Sequence, residues 1–343
     1  MGVLSERQIN IYMFGSQDVG KTVNVTAHYS NPILAKEGGS KISINFEKSG
    51  DILVLEKTKK GILKDDNRYV GTQRQQAYSA VLNYKDSDNV SHQSLASVNF
   101  IDVPGGIYNS LLKDRDYDID QFNLDLSSNS YTYNVFLLLV NIYSFVSCEN
   151  YPFSCGKIKG EKCKYFCSKT GKKKQTAFDC TYFNREFTQT FIYQALRLAT
   201  KNNCRFQIVV NHCDDNSIFR NEKERDELMK EVKETITTWL DEAPFDYDVN
   251  VRPNIYFIDS VSAIKKKDRW VRAARLPILD VLYTFLENQA MNFSLERQGK
   301  AGFFKNLNYA WHKFLFNSPV EMRDRCCNLI RQQLNLYGDG GVD

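Results

Sequence analysis

Apolar positions fall into short runs separated by polar turns. Residues 9–14 hold Ile9, Ile11, Tyr12, Met13 and Phe14 around a single Asn10, the density expected of a strand covered on both faces. A glycine-bounded loop follows, and residues 21–29 read as a helix that Asn31-Pro32 ends. The segments KISINFEK (41–48) and ILVLEKT (52–58) flank Ser49-Gly50-Asp51 and predict a β-hairpin. Residues 77–84 and 95–101 predict a second, antiparallel hairpin across KDSDNV (85–90). Further on, VFLLLVNIY (135–143), RFQIVV (205–210) and NIYFI (254–258) are short apolar runs. Between and after them come helical spacings: Phe187, Phe191, Ala195 and Leu198 in 184–200; Leu228, Val232, Ile236 and Trp239 or Leu240 in 222–240; and Ile278, Val281, Leu282, Phe285 and Leu286 in 276–292, with Pro277 at its start. Strands alternating with helices predict an α/β fold. Its mostly parallel sheet would carry helices on both faces and a ligand site at the strands' C-terminal ends.

Candidate chemistry sits at those ends. Gly15, Ser16, Gln17, Asp18, Val19, Gly20, Lys21 and Thr22 form G-x-x-x-x-G-K-T between the first strand and the first helix. Glycines at both ends let backbone N–H groups turn onto phosphate oxygens, and the helix opening at Lys21 adds its positive end. Lys21 would reach the β and γ phosphates, the Thr22 hydroxyl would ligate Mg²⁺, and Val23 continues the loop into the helix. Three later motifs follow strand-like runs: Asp102-Val103-Pro104-Gly105, a D-x-x-G; Asn211-His212-Cys213-Asp214; and Ser262-Ala263-Ile264 after Asp259.

In this order the motifs resemble those of Ras-like, translation-factor-related P-loop GTPases over roughly residues 8–292, with insertions at about 31–70 and 145–183. The resemblance implies the three-layer P-loop NTPase fold with one antiparallel strand, here followed by a C-terminal helical extension at 300–337. It implies GTP/GDP and Mg²⁺ as ligands and a protein effector or regulator as partner. Asp102 would hold Mg²⁺ through a water, and the Gly105 N–H would sense the γ-phosphate. Asp214 would accept hydrogen bonds from guanine N1 and N2, Asn211 would join it in binding the nucleotide, and Ser262, Ala263 and Ile264 would back the base. A switch threonine completing the metal shell would precede the 77–84 strand: Thr72 is placed there, flanked by Arg68 and Arg74, and Thr58 competes. Three residues depart from the pattern. His212 replaces the lysine that lies over the base, Gly106 stands where many members carry the glutamine that orients water, and Gln17 is bulky beside the γ-phosphate. Slow GTP hydrolysis by a nucleotide-controlled switch is the function implied. A nucleotide-bound module that does not hydrolyse is the alternative, and an ATP-dependent enzyme would make Asn211 and Asp214 accidental.

Composition adds little: 45 basic against 41 acidic residues leave a net +4, which excludes a global charge argument for nucleic acid or membrane. No run approaches the ~20 apolar residues of a membrane span, so no transmembrane segment is expected and the location implied is cytoplasmic. Nine cysteines without a signal sequence argue for free thiols or metal. Cys148, Cys155, Cys163, Cys167 and Cys180 are dense enough for a structural Zn²⁺, yet lack the C-x-x-C knuckle; a basic loop with free thiols is the other reading. Lysines in 157–174, and the basic amphipathic stretch 300–316, are candidates for contact with an anionic surface, the latter peripheral to a membrane. Self-packing is the competing reading of that tail, whose final helix is announced by the capping box Ser318-Pro319-Val320-Glu321.

Overall fold

The computed structural model describes residues 8–16, 19–47, 52–64, 76–85, 92–103, 132–145, 185–214, 219, 221–247, 252–298 and 319–335. In chain order the strands are β1 (Gln8–Phe14), β2 (Ile33–Glu37), β3 (Ser40–Phe46), β4 (Gln76–Lys85), β5 (His92–Asp102), β6 (Thr132–Asn141), β7 (Arg205–Asn211) and β8 (Asn254–Phe257). The helices are α1 (Lys21–Ser30), α2 (Ile52–Leu63), α3 (Arg185–Lys201), α4 (Glu222–Asp241), α5 (Ser260–Ile264), α6 (Asp268–Gln298) and α7 (Pro319–Asn335). One sheet runs β2-β3-β4-β5-β1-β6-β7-β8. From β5 to β8 every pairing is parallel, and from β2 to β5 every pairing is antiparallel. The α/β architecture is therefore as expected, with the antiparallel region widened by an extra hairpin.

Strand alternation sorts the core onto two faces. Ile9, Ile11 and Met13 join Val135, Leu137 and Leu139 on the face covered by α6 and α7. Tyr12 and Phe14 join Phe136 and Leu138 on the face covered by α3 and α4. A polar row interrupts this second face. Ser79, Asn99, Asn10 and Asn134 are direct neighbours across β4, β5, β1 and β6. The Ser79 hydroxyl donates to Asn99 (2.9 Å), Asn99 to Asn10 (3.1 Å) and Asn10 to Asn134 (3.2 Å). A two-residue slip of any strand would bury these amides without partners, at about 1–3 kcal/mol each, so the row pins the register that aligns the strand ends.

Two expectations are corrected. Residues 52–58 are not the second arm of a hairpin but the start of α2. Leu55 and Ile62, seven apart, are its buried face, a helical spacing that the short ILVL alternation masks. The hairpin partner of β3 is instead β2, joined to it by Gly38-Gly39. Both glycines have positive φ (54° and 94°), the requirement of a two-residue primed turn. Pro277 does not open the later helix: α6 begins at Asp268, and Ala274 and Trp270, one and two turns upstream of Ile278, are buried in the core on the other face of the sheet. At the C-terminus, Pro319 is the first residue of α7, which buries Cys326, Cys327, Leu329 and Ile330 against the sheet and α6.

α1 carries a buried histidine. His28 stacks on Phe100 (5.8 Å, 23°), and burial, assisted by the positive charge of Arg275, lowers its pKa from 6.5 to about 4. Below pH 6.5 the unfolded chain takes up a proton at this position and the folded chain does not. The neutral imidazole's contribution is thus complete above pH 6.5 and lost as the pH falls toward 4, by about 3 kcal/mol in all. Urea titrations at pH 7 and pH 4.5 are expected to show that His28→Gln loses less stability across this window than wild type. Equal losses would assign the titration to other groups.

Candidate functional site

Each motif lies at the C-terminal end of a parallel strand. β1 ends at Phe14 and α1 begins at Lys21, so the connecting loop must reverse direction tightly against its neighbours. Gly15 has φ +151°, and a Cβ there would stand 2.6 Å from Val19 Cγ1 and 2.7 Å from the Leu139 carbonyl. Gly20 has φ +90°, and a Cβ would stand 2.6 Å from Asn211 Nδ2. No other residue type fits either place without displacing backbone or a buried amide. Lys21 turns its ammonium back into the loop, donating to the carbonyls of Gly15 (2.8 Å) and Ser16 (3.1 Å). Val19 is buried and Val23 partly so. A glycine-bounded loop from strand to helix, with the lysine folded over it, on this sheet order, defines the architecture. This is a P-loop NTPase fold.

Beside the P-loop, the Thr22 hydroxyl donates to Asp102 Oδ2 at 2.6 Å. Asp102 is fully buried at the end of β5, the parallel neighbour of β1. A hydroxyl and a carboxylate held together are hard oxygen donors, the ligand chemistry of Mg²⁺, so this pair fits such an ion. Among the described residues no group of three His, Cys, Asp or Glu forms a further metal cluster.

The other end of the site is joined to the P-loop by one side chain. Asn211, at the end of β7, donates from Nδ2 to the Val19 carbonyl (2.9 Å) and accepts at Oδ1 from the Ser260 N–H (3.1 Å). Asp259 caps α5, accepting from the Ser262 N–H (2.7 Å) and the Asp214 N–H (3.1 Å). Asp214 accepts at Oδ1 from Arg225 (3.1 Å), and at Oδ2 from the Ser262 hydroxyl (2.7 Å) and Lys267 (2.5 Å). Burial pushes the Asp214 pKa up, but hydrogen bonds from Lys267, Ser262 and Trp270 outweigh it and hold the carboxyl below its ordinary value. It is an ionised acceptor at neutral pH. Ala263 and Ile264 are buried behind it, and the Ala263 N–H donates to the Asp259 carbonyl at 2.9 Å.

Thus Gly15, Ser16, Val19, Gly20, Lys21, Thr22 and Asp102 converge at one end, and Asn211, Asp214 and Ser262 at the other. Gln17, Asp18, Arg68, Thr72, Arg74, Gly105, Gly106, the five cysteines between 148 and 180 and the stretch 300–316 lie outside the described residues. His212 adopts φ +66° and stacks on Tyr143 (5.6 Å, 18°). Arg225 and Lys267 escape the sequence reading. The available signal for Arg225 is the Asn221 cap of α4, whose side chain accepts from the Glu224 N–H (2.9 Å) and so places residue 225 in the helix's first turn.

No family model matches the chain, and no curated protein matches its sequence. Among solved structures it is similar to the S. cerevisiae Ski7 GTPase-like domain bound to GDP and inorganic phosphate, at 14% identity and a TM-score of 0.38, covering 76% of this chain and 44% of that one. It is also similar to the SRb-GTP/SRX complex of the signal recognition particle receptor from Chaetomium thermophilum, at 12% identity and 0.34, covering 76% and 92%. Sup35 complexed with GDP is matched at 12% identity and 0.31, covering 75% and 38%. The chain spans less than half the length of the Ski7 and Sup35 structures. Among the described residues, no helix is long and apolar enough to cross a membrane.

Proposed function

We propose that this protein binds guanine nucleotide with Mg²⁺ and hydrolyses GTP slowly, as a nucleotide-controlled switch. The observation that carries the reading is the Asn211 brace, which ties the P-loop to the start of α5, where Ser262 holds an ionised Asp214 whose two oxygens match two adjacent donors on a guanine edge. Thr22 and Asp102 would hold the metal, which neutralises phosphate charge when bound. Lys21 would exchange its two loop carbonyls for phosphate oxygens. Hydrolysis would be in-line attack of water on the γ-phosphorus without a covalent intermediate, and Gly106 offers that water no side chain.

Competition between GTP and ATP, followed by single-turnover hydrolysis with Mg²⁺, tests this. GTP is expected to win, with turnover by the isolated chain far below about 1 s⁻¹, because a group supplied in trans is worth ~10³–10⁵ in this class. Rapid turnover would direct attention to Gln17, Arg68 and Arg74, substituted one at a time. No turnover at all would favour the second reading, a nucleotide-bound binding module, which the same Gly106 motivates. An effector or regulator that distinguishes the two nucleotide states belongs to the switch reading, and capture with a GTP analogue would identify it.

A structural zinc on four of the five cysteines Cys148, Cys155, Cys163, Cys167 and Cys180 is part of the proposal, motivated by their density. If four of the five are ligands, metal analysis of protein purified without added zinc gives about one equivalent. Near-zero metal with all five thiols reactive would remove it.

A further inference from the structure

Asp214 is already crowded. A carboxylate oxygen accepts about two hydrogen bonds. Oδ1 holds Arg225, and Trp270 adds a further side-chain hydrogen bond to the carboxylate. Oδ2 holds two, from Ser262 and Lys267, and is full. A guanine edge bonded to this carboxylate brings N1–H to one oxygen and an N2–H to the other, so one donor on Oδ2 must leave.

Trp270 is buried, and the other three donors differ in freedom. Arg225 is 7% exposed, lies over Trp270 (5.5 Å) and is also paired with Glu222 (3.0 Å) and Asp226 (3.3 Å). Ser262 is buried within α5, its N–H committed to Asp259. Lys267 is 50% exposed, and besides its bond to Asp214 it is held through the backbone: its N–H donates to the Ser262 carbonyl (3.0 Å), and its own carbonyl accepts from Trp270 and Val271 (3.0 Å each). Its Cα is therefore fixed and its four-carbon stem can swing.

We propose that Lys267 moves from Asp214 to the O6 oxygen of the base and reads it. On guanine, O6 is the atom next to N1–H, so a donor leaving the oxygen that takes N1–H is already beside it. The loop's own amides are occupied elsewhere: those of Ala263, Ser262 and Asp214 all donate to Asp259. The ammonium has three donors and no acceptor, so a keto oxygen satisfies it where the exocyclic amine of adenine would repel it. Lys267 is thereby a specificity-determining residue that rests on the guanine reading above.

The test uses the full chain and compares GDP, 6-thio-GDP and ADP in wild type and Lys267→Met, a side chain of similar length. Wild type is expected to prefer GDP to 6-thio-GDP several-fold, sulfur being the weaker acceptor. Lys267→Met is expected to lose roughly tenfold or more in GDP affinity, to bind the two guanine analogues equally, and to recover part of the difference as Lys267→Arg. GDP bound by Lys267→Met as tightly as by wild type, or more tightly, would make the lysine a plug on Asp214 and overturn the proposal. So would an oxygen-over-sulfur preference that survives in Lys267→Met. Both results leave the guanine reading standing. ADP bound by wild type as well as GDP would instead defeat that reading and this one together.

Discussion

Lys21→Ala is expected to abolish measurable binding of Mg·GTP while leaving the protein folded. The ammonium is buried in the P-loop, held by the Gly15 and Ser16 carbonyls at 2.8 and 3.1 Å. On the proposed reading it would be a cation that meets the phosphates of bound nucleotide. Truncating one partner of a buried, hydrogen-bonded charge pair costs about 2–5 kcal/mol, roughly thirtyfold to several thousandfold in affinity. Stability has less to lose, because alanine is the strongest helix former at the start of α1 and the two released carbonyls lie in a loop that phosphate must reach. Isothermal titration against a urea melt separates the two effects. Affinity within threefold of wild type in a folded variant would show that this loop does not hold phosphate. Thr22→Asn is the companion test, since it breaks the 2.6 Å contact with Asp102, and it should remove the Mg²⁺ dependence of binding.

Asp214→Asn is expected to exchange guanine for xanthine preference. An amide presents one acceptor and one donor, so of guanine's two donors one meets N–H instead of oxygen, whereas xanthine carries an oxygen at that position. One charge-assisted hydrogen bond is lost, at about 1.5–3 kcal/mol, and the other becomes neutral, which predicts a GDP affinity lower by roughly tenfold to a few hundredfold. The substitution also strips a carboxylate from Arg225 and Lys267. Arg225 keeps Glu222 and Asp226, and Lys267 is half exposed, so the structural penalty is the smaller effect. The GDP-to-XDP affinity ratio is the diagnostic quantity, because a general loss of stability would lower both. An unchanged ratio would remove Asp214 from base recognition.

The phosphate end of the site was legible because its constraints are local. Gly15, Gly20, Lys21 and Thr22 lie within eight positions, and each type answers a steric or chemical demand that the strand-to-helix turn imposes by itself. Asp102, Asn211 and Asp214 were legible only as the ends of apolar runs, yet parallel strands must bring such ends together. Arg225 and Lys267 were not legible. In the sequence they sit among Glu222, Lys223, Glu224 and Asp226, and among Lys265, Lys266 and Asp268, charge runs that read as solvated surface. Only the fold shows that Arg225 is enclosed over Trp270 and that Lys267 sits at the corner between α5 and α6. The misread 52–58 segment has a related cause. Four apolar residues in a row suit either a strand or one turn of helix, and the deciding partner, Ile62, lies beyond the stretch that looked like a strand.

The hairpin of β2 and β3 moves the open edge of the sheet away from the nucleotide end, and a new edge is a template on which another chain could add a strand. This edge is poorly suited to that. β2 has only five residues, its register shifts between Ile33 and Ala35, and Lys36 and Glu37 face outward at its end. The C-terminal helix α7 lies against it. At the opposite margin β8 offers four residues. Among the described residues both margins of the sheet are thus short, and that of β2 is also irregular and charged, features that disfavour the addition of a further strand.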